Sequence, residues 1–152
     1  MEHTEHIGHA GHTGHRRAGR ARALQMLYGR DIGGASNSEI PRDRGAVDKI
    51  SRGADEFAEQ LFTGVVARLD ELDRTIQSRA QNWRLNRMAA VDRNILRLAV
   101  FELSSGGKSP DSAIINEAIE LARKFSTQDS AQFVNGILDG IRKDLAGSSY
   151  ED

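Results

Sequence analysis

The sequence predicts an all-α protein, a helical bundle of about six to seven helices, and three observations carry that prediction. From about Ala18 onward, apolar residues recur at steps of three and four through most of the chain. No segment alternates apolar and polar residues for long enough to argue a strand. The interruptions are rich in Gly, Pro, Asn and Ser, residues that end helices and make turns.

Residues 1–15 repeat His at every third position (His3, His6, His9, His12, His15), with Gly8, Gly11 and Gly14 between them. Each glycine costs a helix about 1 kcal/mol, so this stretch is expected to be an extended, disordered tail. In a polyproline-II-like segment, a period of three places all five imidazoles on one side, where pairs or trios can share nickel or zinc. The plainer reading is a solubilising tail with loose metal affinity, because ordering it costs backbone entropy. No metal site is assigned.

A first helix is expected from about Ala18 to Arg30, with Ala21, Leu24, Leu27 and Tyr28 on its apolar stripe and the arginines largely off it. Residues 32–53 contain Gly33, Gly34, Ser36, Asn37, Ser38, Pro41 and Gly45, and read as a long flexible loop. Phe57, Leu61, Val65, Leu69, Leu72 and Ile76 then make a helical stretch that breaks near Asp70 into two helices. Trp83 reads as core packing. Asn86 is the expected N-cap of a segment from Arg87 to Leu103, with Met88, Val91, Ile95, Leu98 and Ala99 on one side. Gly106, Gly107 and Pro110 end it, and Asp111 or Ser112 caps the next helix, whose buried face is Ile115, Ala118, Leu121, Ala122 and Phe125. The last helix is expected to open at Asp129, with Gln132 three residues on as in a capping box. It carries Phe133, Val134, Ile137, Leu138, Ile141 and Leu145, and residues 147–152 are left as a disordered tail.

At 152 residues and 38% hydrophobic content the chain suffices for one compact domain with trimmings. It has no cysteine, which excludes disulfides, thiolate catalysis and Cys-ligated zinc and fits a reducing cytoplasm. No apolar run approaches the roughly 18 residues of a membrane span, and the His- and Gly-studded N-terminus lacks the apolar stretch of a signal peptide. The expected location is the cytoplasm.

The folded part has no histidine, no cysteine and no glycine-rich phosphate loop, so it is not expected to be an enzyme, and no cofactor is expected. Glu117 and Glu120 sit one turn apart, a spacing at which helical carboxylates are usually solvated or ion-paired. The strongest physical lead is charge placement. Net charge is only -1, yet Arg16 to Arg30 holds five arginines (Arg16, Arg17, Arg20, Arg22, Arg30) and no acid. Guanidinium groups neutralise phosphates with counterion release and stack on unpaired bases, and Tyr28 on the same helix is a possible stacking partner. The charge does not choose RNA over DNA, and a basic solubilising arm with Tyr28 at the core edge is the alternative.

Three further stretches carry a resemblance: DRNILRLAVFEL from Asp92 to Leu103, INEAIELARKFS from Ile115 to Ser126, and FVNGILD from Phe133 to Asp139. In this order and spacing they resemble the NusB transcription antitermination proteins. RRAGRARALQMLY from Arg16 to Tyr28 is similar to that family's arginine-rich first helix, and FAEQLFTGV from Phe57 to Val65 to its second block. The resemblance covers about residues 16–146, outside the His-rich tail and the 32–53 loop.

The resemblance implies an all-helical fold in two small subdomains. It also implies pairing with the ribosomal protein NusE and binding of boxA RNA on ribosomal RNA operon transcripts, within an elongation complex of RNA polymerase and other Nus factors. Carried over by position, Arg16, Arg17, Arg20 and Arg22 bind RNA phosphates, Tyr28 edges that surface, and Asp129 and Phe133 lie near the RNA path. Asp92 matches an acidic position suited to the NusE contact, with an ion pair to Arg93, Arg97 or the arm as the alternative. Asn116 and Asn135 match positions with structural duties toward buried backbone groups. Ala18 and Gly19 depart from a more basic family stretch, which implies a looser arm. A free NusE surface could also pair with a second copy as a homodimer. Two other readings stay open: a His-rich metal-binding protein, and a helical dimerisation scaffold. The related RNA-binding domain that precedes a cytosine methyltransferase would need a cysteine in the domain that follows, and this chain is expected to stop near Asp152.

Overall fold

A computed structural model of the chain describes residues 2–33 and 49–151, with side chains described for 14–33 and 52–147. Among the described residues there are six α-helices and no strand. They are α1 (Glu2–Gly33), α2 (Lys49–Ala67), α3 (Leu69–Arg79), α4 (Ala90–Ser105), α5 (Asp111–Phe125) and α6 (Gln128–Glu151), with one 3-10 turn at Leu85–Arg87. The chain divides into two compact units, residues 1–63 and 64–152.

The first unit contains α1 and most of α2, and its buried side chains include Ala23, Leu24, Leu27, Ala54, Ala58 and Leu61. The two helices approach closely because residue 19 has no side chain. A Cβ there would lie 2.8 Å from Cδ2 of Phe57 and 3.1 Å from the Ala54 carbonyl oxygen, both on α2. The expectation of a looser arm at Ala18 and Gly19 is therefore corrected, since Gly19 is where Phe57 seats. The backbone of the His-rich stretch is helical from Glu2, where its glycines led us to expect extended chain. Extending a formed helix adds one hydrogen bond per residue with no second nucleation, which offsets the glycine penalty. Most of the 32–53 loop lies outside the described residues, but Ile32 and Gly33 close α1 and residues 49–53 open α2.

The second unit packs α5 against α6, with α4 against both and α3 against α4 and α6. Its core is built from Leu72, Ile76, Ile95, Leu96, Val100, Val134, Leu138 and Ile141, all under 2% exposed. Every residue from Asn94 to Val100 is buried, so α4 is a central helix enclosed on all sides rather than a one-faced one. Two of those residues are polar and satisfied. Arg97 donates from Nε and Nη2 to the two carboxylate oxygens of Asp73 on α3 (2.7 and 2.9 Å) and from Nη1 to Asn94 Oδ1 (3.0 Å). Asn94 Nδ2 donates to the Ala90 carbonyl (2.8 Å).

Element ends follow local chemistry. The stretch after Phe57 breaks at Arg68, two residues before the expected point. Gly106 ends α4 in the left-handed region (φ 65°, ψ 33°), a conformation glycine adopts without a Cβ clash. α4 begins at Ala90, so Asn86 is not its N-cap but sits in the preceding 3-10 turn. α5 starts at Asp111 behind Pro110, whose fixed φ suits a helix entry, and no side chain caps it. The cap of α6 is Thr127, whose Oγ1 accepts the Ser130 N–H at 3.0 Å, rather than a capping box at Asp129. α6 continues to Glu151, through residues expected to form a tail.

Candidate nucleic-acid surface and an acidic aromatic cavity

In the first unit, the arginines of α1 fall into different environments. Arg17 is exposed and Arg16 half-buried. Arg22 forms an ion pair with Asp55 on α2. Arg20 is only 6% exposed and its guanidinium lies 5.6 Å from the centre of the Phe57 ring, a cation–π contact in a partly desolvated place. The expectation that the arginines lie off the packed stripe holds for Arg17 and is corrected for Arg20, which locks α1 onto α2. Tyr28 is 37% exposed and Ile32, one turn on, 57%. Arg30 is exposed at the C-terminal turn, where a cation complements the helix dipole.

His15 is the histidine whose side chain is described. Its ring occupies the space that a Cβ on Gly53 would fill, and its Nε2 is buried without a hydrogen-bond partner. The other four imidazoles lie outside the described side chains. Among the described residues no group of three or more His, Asp or Glu is placed to hold a metal ion.

In the second unit, Asp92, Asp129 and Phe133 line a single cavity of about 400 Å³, together with Trp83, Met88 and Ser130. Three segments build it: the loop between α3 and α4, the first turn of α4, and the first two turns of α6. Trp83 was expected in the core and is instead 59% exposed. The reason is Gln77 of α3. Its Nε2 donates to the carbonyls of Ala80 and Trp83 (2.9 Å each) and its Oε1 accepts the Leu85 N–H (2.9 Å). With the loop backbone bound on both sides of residue 83, the indole is left outside. Arg93 clasps the same loop from α4, donating to the Met88 carbonyl at 3.2 Å.

Asp92 is 9% exposed, and its Oδ2 accepts the Ser130 hydroxyl at 2.8 Å. Ser130 in turn accepts from Ser126 and Thr127 (3.0 Å each), so the α6 cap and the α4 carboxylate form one relay. Asp92 Oδ1 is buried with no hydrogen-bond partner. Asp129 is exposed at the rim and Phe133 half-buried in the wall. Trp83 and Phe133 also border a second, more polar cavity of about 670 Å³. Sequence reasoning had named Asp92, Asp129 and Phe133 but missed Trp83, Ser130 and Gln77. A tryptophan in an Asn- and Arg-rich loop was the available signal.

Other expected positions fall differently. Asn116 and Asn135 are exposed, so they do not satisfy buried backbone groups. Phe125, expected on the buried face, is 38% exposed at the end of α5, beneath the Lys124 ammonium (5.3 Å from the ring centre). Glu120 is ion-paired with Arg123, as its helical spacing suggested.

Fold and surfaces together define a small all-helical protein with an arginine-rich helix in one unit and an acidic, aromatic-walled cavity in the other. The model of the NusB family matches residues 17–143. The transcription antitermination protein NusB of Geotalea uraniireducens is 47% identical, over 83% of this chain and 92% of its own. That of Koribacter versatilis is 42% identical over 86% and 90%. Among solved structures, T. maritima NusB superposes with a TM-score of 0.73 at 33% identity, covering 84% of this chain and 90% of that one. A chain from a crystal structure of the antitermination factors NusB and NusE in complex with dsRNA gives 0.69 at 25% identity, covering 86% and 97%. This chain belongs to the NusB family.

Proposed function

We propose that the chain is a transcription antitermination factor that pairs with NusE and binds boxA RNA of ribosomal RNA operon transcripts, joining an elongation complex with RNA polymerase and other Nus factors in the cytoplasm. It acts by binding, not catalysis. The observation that carries this reading is α1 itself: five arginines and no acid from Arg16 to Arg30, on a helix fixed to α2 by the Gly19–Phe57 contact. A cluster of guanidinium groups on a rigid element attracts a polyanion without a large ordering cost. The family membership and the likeness to a NusB chain crystallised with NusE and RNA support the same partners.

Arg16 and Arg17 are phosphate contacts, Arg22 joins them by exchanging its Asp55 partner for a phosphate, and Arg20 acts behind them by holding the arm on Phe57. Tyr28 edges the surface. Asp129 and Phe133 are the RNA contacts of the second unit, and Asp92, on the neighbouring first turn of α4, is the NusE contact. When NusE is absent its surface can pair with a second copy, a homodimer that competes with function.

The test is binding of a fluorescent boxA RNA to the full chain, with and without NusE. NusE should tighten binding by at least tenfold, and gel filtration should show any homodimer dissolving as NusE is added. Unchanged affinity with NusE present would overturn the pairing.

A further inference from the structure

The stretch from Arg16 to Arg30 has no acid of its own, but the fold brings one to it from α2. Asp55 sets its Oδ1 against Nη1 of Arg22, and the two side chains are 39% and 28% exposed. The backbone that carries this carboxylate has no room to withdraw. Its neighbour Ala54 is buried, with a carbonyl oxygen that would lie 3.1 Å from a Cβ on residue 19, and Phe57, two residues on, rests on Gly19 itself. The contact that brings α1 close to α2 therefore also fixes an anion beside an arginine of the arm. What an approaching phosphate meets at Arg22 is a charge-neutralised pair.

We propose that Asp55 is an intramolecular competitor of RNA, an autoinhibitory carboxylate that occupies Arg22 in the RNA-free protein and holds the arm's affinity below what its arginines alone would give. The proposal rests on the RNA-binding function above and adds a residue of α2 that opposes it. A carboxylate and a phosphate offer a guanidinium the same kind of bond, charged oxygens accepting N–H donors, so one replaces the other without rebuilding the site. The exchange breaks an ion pair and leaves the Asp55 carboxylate beside a phosphodiester of like charge. Both costs fall on the phosphate, which carries no sequence information. Asp55 therefore lowers affinity by the same factor for every RNA that reaches Arg22. Arg20 shows the contrast: its guanidinium is 6% exposed over Phe57 and serves packing, whereas Arg22 is held by a partner that another anion can replace.

The experiment measures affinity of the full chain with NusE for boxA RNA and for an unrelated RNA of equal length, at one fixed salt concentration, in a double-mutant cycle of Asp55→Asn and Arg22→Gln. Asp55→Asn keeps the shape and removes the charge. It should tighten binding of both RNAs by about two- to fivefold, the size of a partly exposed ion pair. The thermal midpoint should stay level or fall slightly, and tighter binding by a less stable protein is an effect that a folding defect does not produce. With Arg22→Gln already in place, Asp55→Asn should lose most of that gain, because the competition needs the arginine. Glu59→Gln makes the same charge change one turn along α2, at an exposed position, and reads the general field of the helix. Weaker binding by Asp55→Asn overturns the proposal and makes Asp55 a residue that orients Arg22 toward RNA. Unchanged binding overturns it as well. A gain that persists in full beside Arg22→Gln, or that Glu59→Gln equals, reduces Asp55 to long-range repulsion and also overturns it. If wild type with NusE binds no boxA RNA at all, the proposed function itself fails.

Discussion

Replacing Gly19 with Ala sets two opposing effects against each other. An ideal Cβ at residue 19 lies 2.8 Å from Phe57 Cδ2 and 3.1 Å from both Phe57 Cβ and the Ala54 carbonyl oxygen. The carbonyl is backbone and cannot swing aside, and the ring moves only by leaving its place beneath the Arg20 guanidinium. Overpacking of this kind costs about 1–3 kcal/mol. A helical Gly→Ala change by itself gains about 1 kcal/mol. The net expectation is a destabilisation of about 1 kcal/mol. Gly136 in α6 provides the control, because a Cβ there meets no atom within 4 Å. Gly136→Ala should therefore stabilise by roughly 0.5–1 kcal/mol. Urea unfolding followed by far-ultraviolet circular dichroism, with the slope m unchanged, reads both variants against wild type. If Gly19→Ala stabilises as much as Gly136→Ala, the close approach of α1 to α2 does not exist and the account of the arm's rigidity is wrong.

Asp73→Ala removes both carboxylate partners of an arginine that is 8% exposed, leaving it Asn94. Breaking a fully buried pair costs about 3–5 kcal/mol, and discounting for Asp73's partial exposure gives about 2–3 kcal/mol. The thermal midpoint of the second unit should fall by roughly 10–15 °C, and a fall of only a degree or two would contradict the bidentate geometry. Acid should also weaken the fold. Hydrogen bonds from Arg142 and Lys143 hold the Asp139 carboxyl below its ordinary value of 3.8, and Arg79 does the same for Asp144. A carboxyl depressed in the folded state adds stability above its unfolded pKa and loses it as pH falls through the lower folded one. Stability should therefore decline below about pH 4. Arg79→Ala should return Asp144 toward its ordinary titration, seen by carboxyl carbon chemical shifts, and an unmoved Asp144 would refute the pairing.

Much of this molecule was legible because helical periodicity reports which residues turn inward. Leu24, Leu27, Leu61, Leu72, Ile76, Ile95, Leu121, Val134 and Ile141 were all named or implied by the three-and-four spacing, and all are buried. The break at Arg68 was expected within two residues. What periodicity does not report is which helix lies opposite. α4 is enclosed on every side, so Asn94 and Arg97 are interior, a fact set by α3, α5 and α6 rather than by α4's own pattern. Gly19 looked like a weakness because its partner Phe57 is 38 positions away in sequence. Trp83 looked like core because tryptophan usually is, and Gln77, a polar residue on an otherwise ordinary helix, decides otherwise through three hydrogen bonds. The cavity joins residues 83 to 92 with residues 129 to 133, a juxtaposition that no local pattern encodes.

The central claim is that the arginines of α1 contact RNA phosphates, and the salt dependence of boxA RNA binding tests it most directly. Arg16, Arg17 and Arg22 are changed together to Gln, leaving Arg20 in its place on Phe57, and affinity is measured with NusE across a range of salt. Each phosphate contact to single-stranded RNA contributes about 0.7 to the slope of log affinity against log salt. The account predicts that the slope falls by about 2 while the thermal midpoint stays within a few degrees of wild type. An unchanged slope in the folded variant would contradict it and move the RNA surface away from α1.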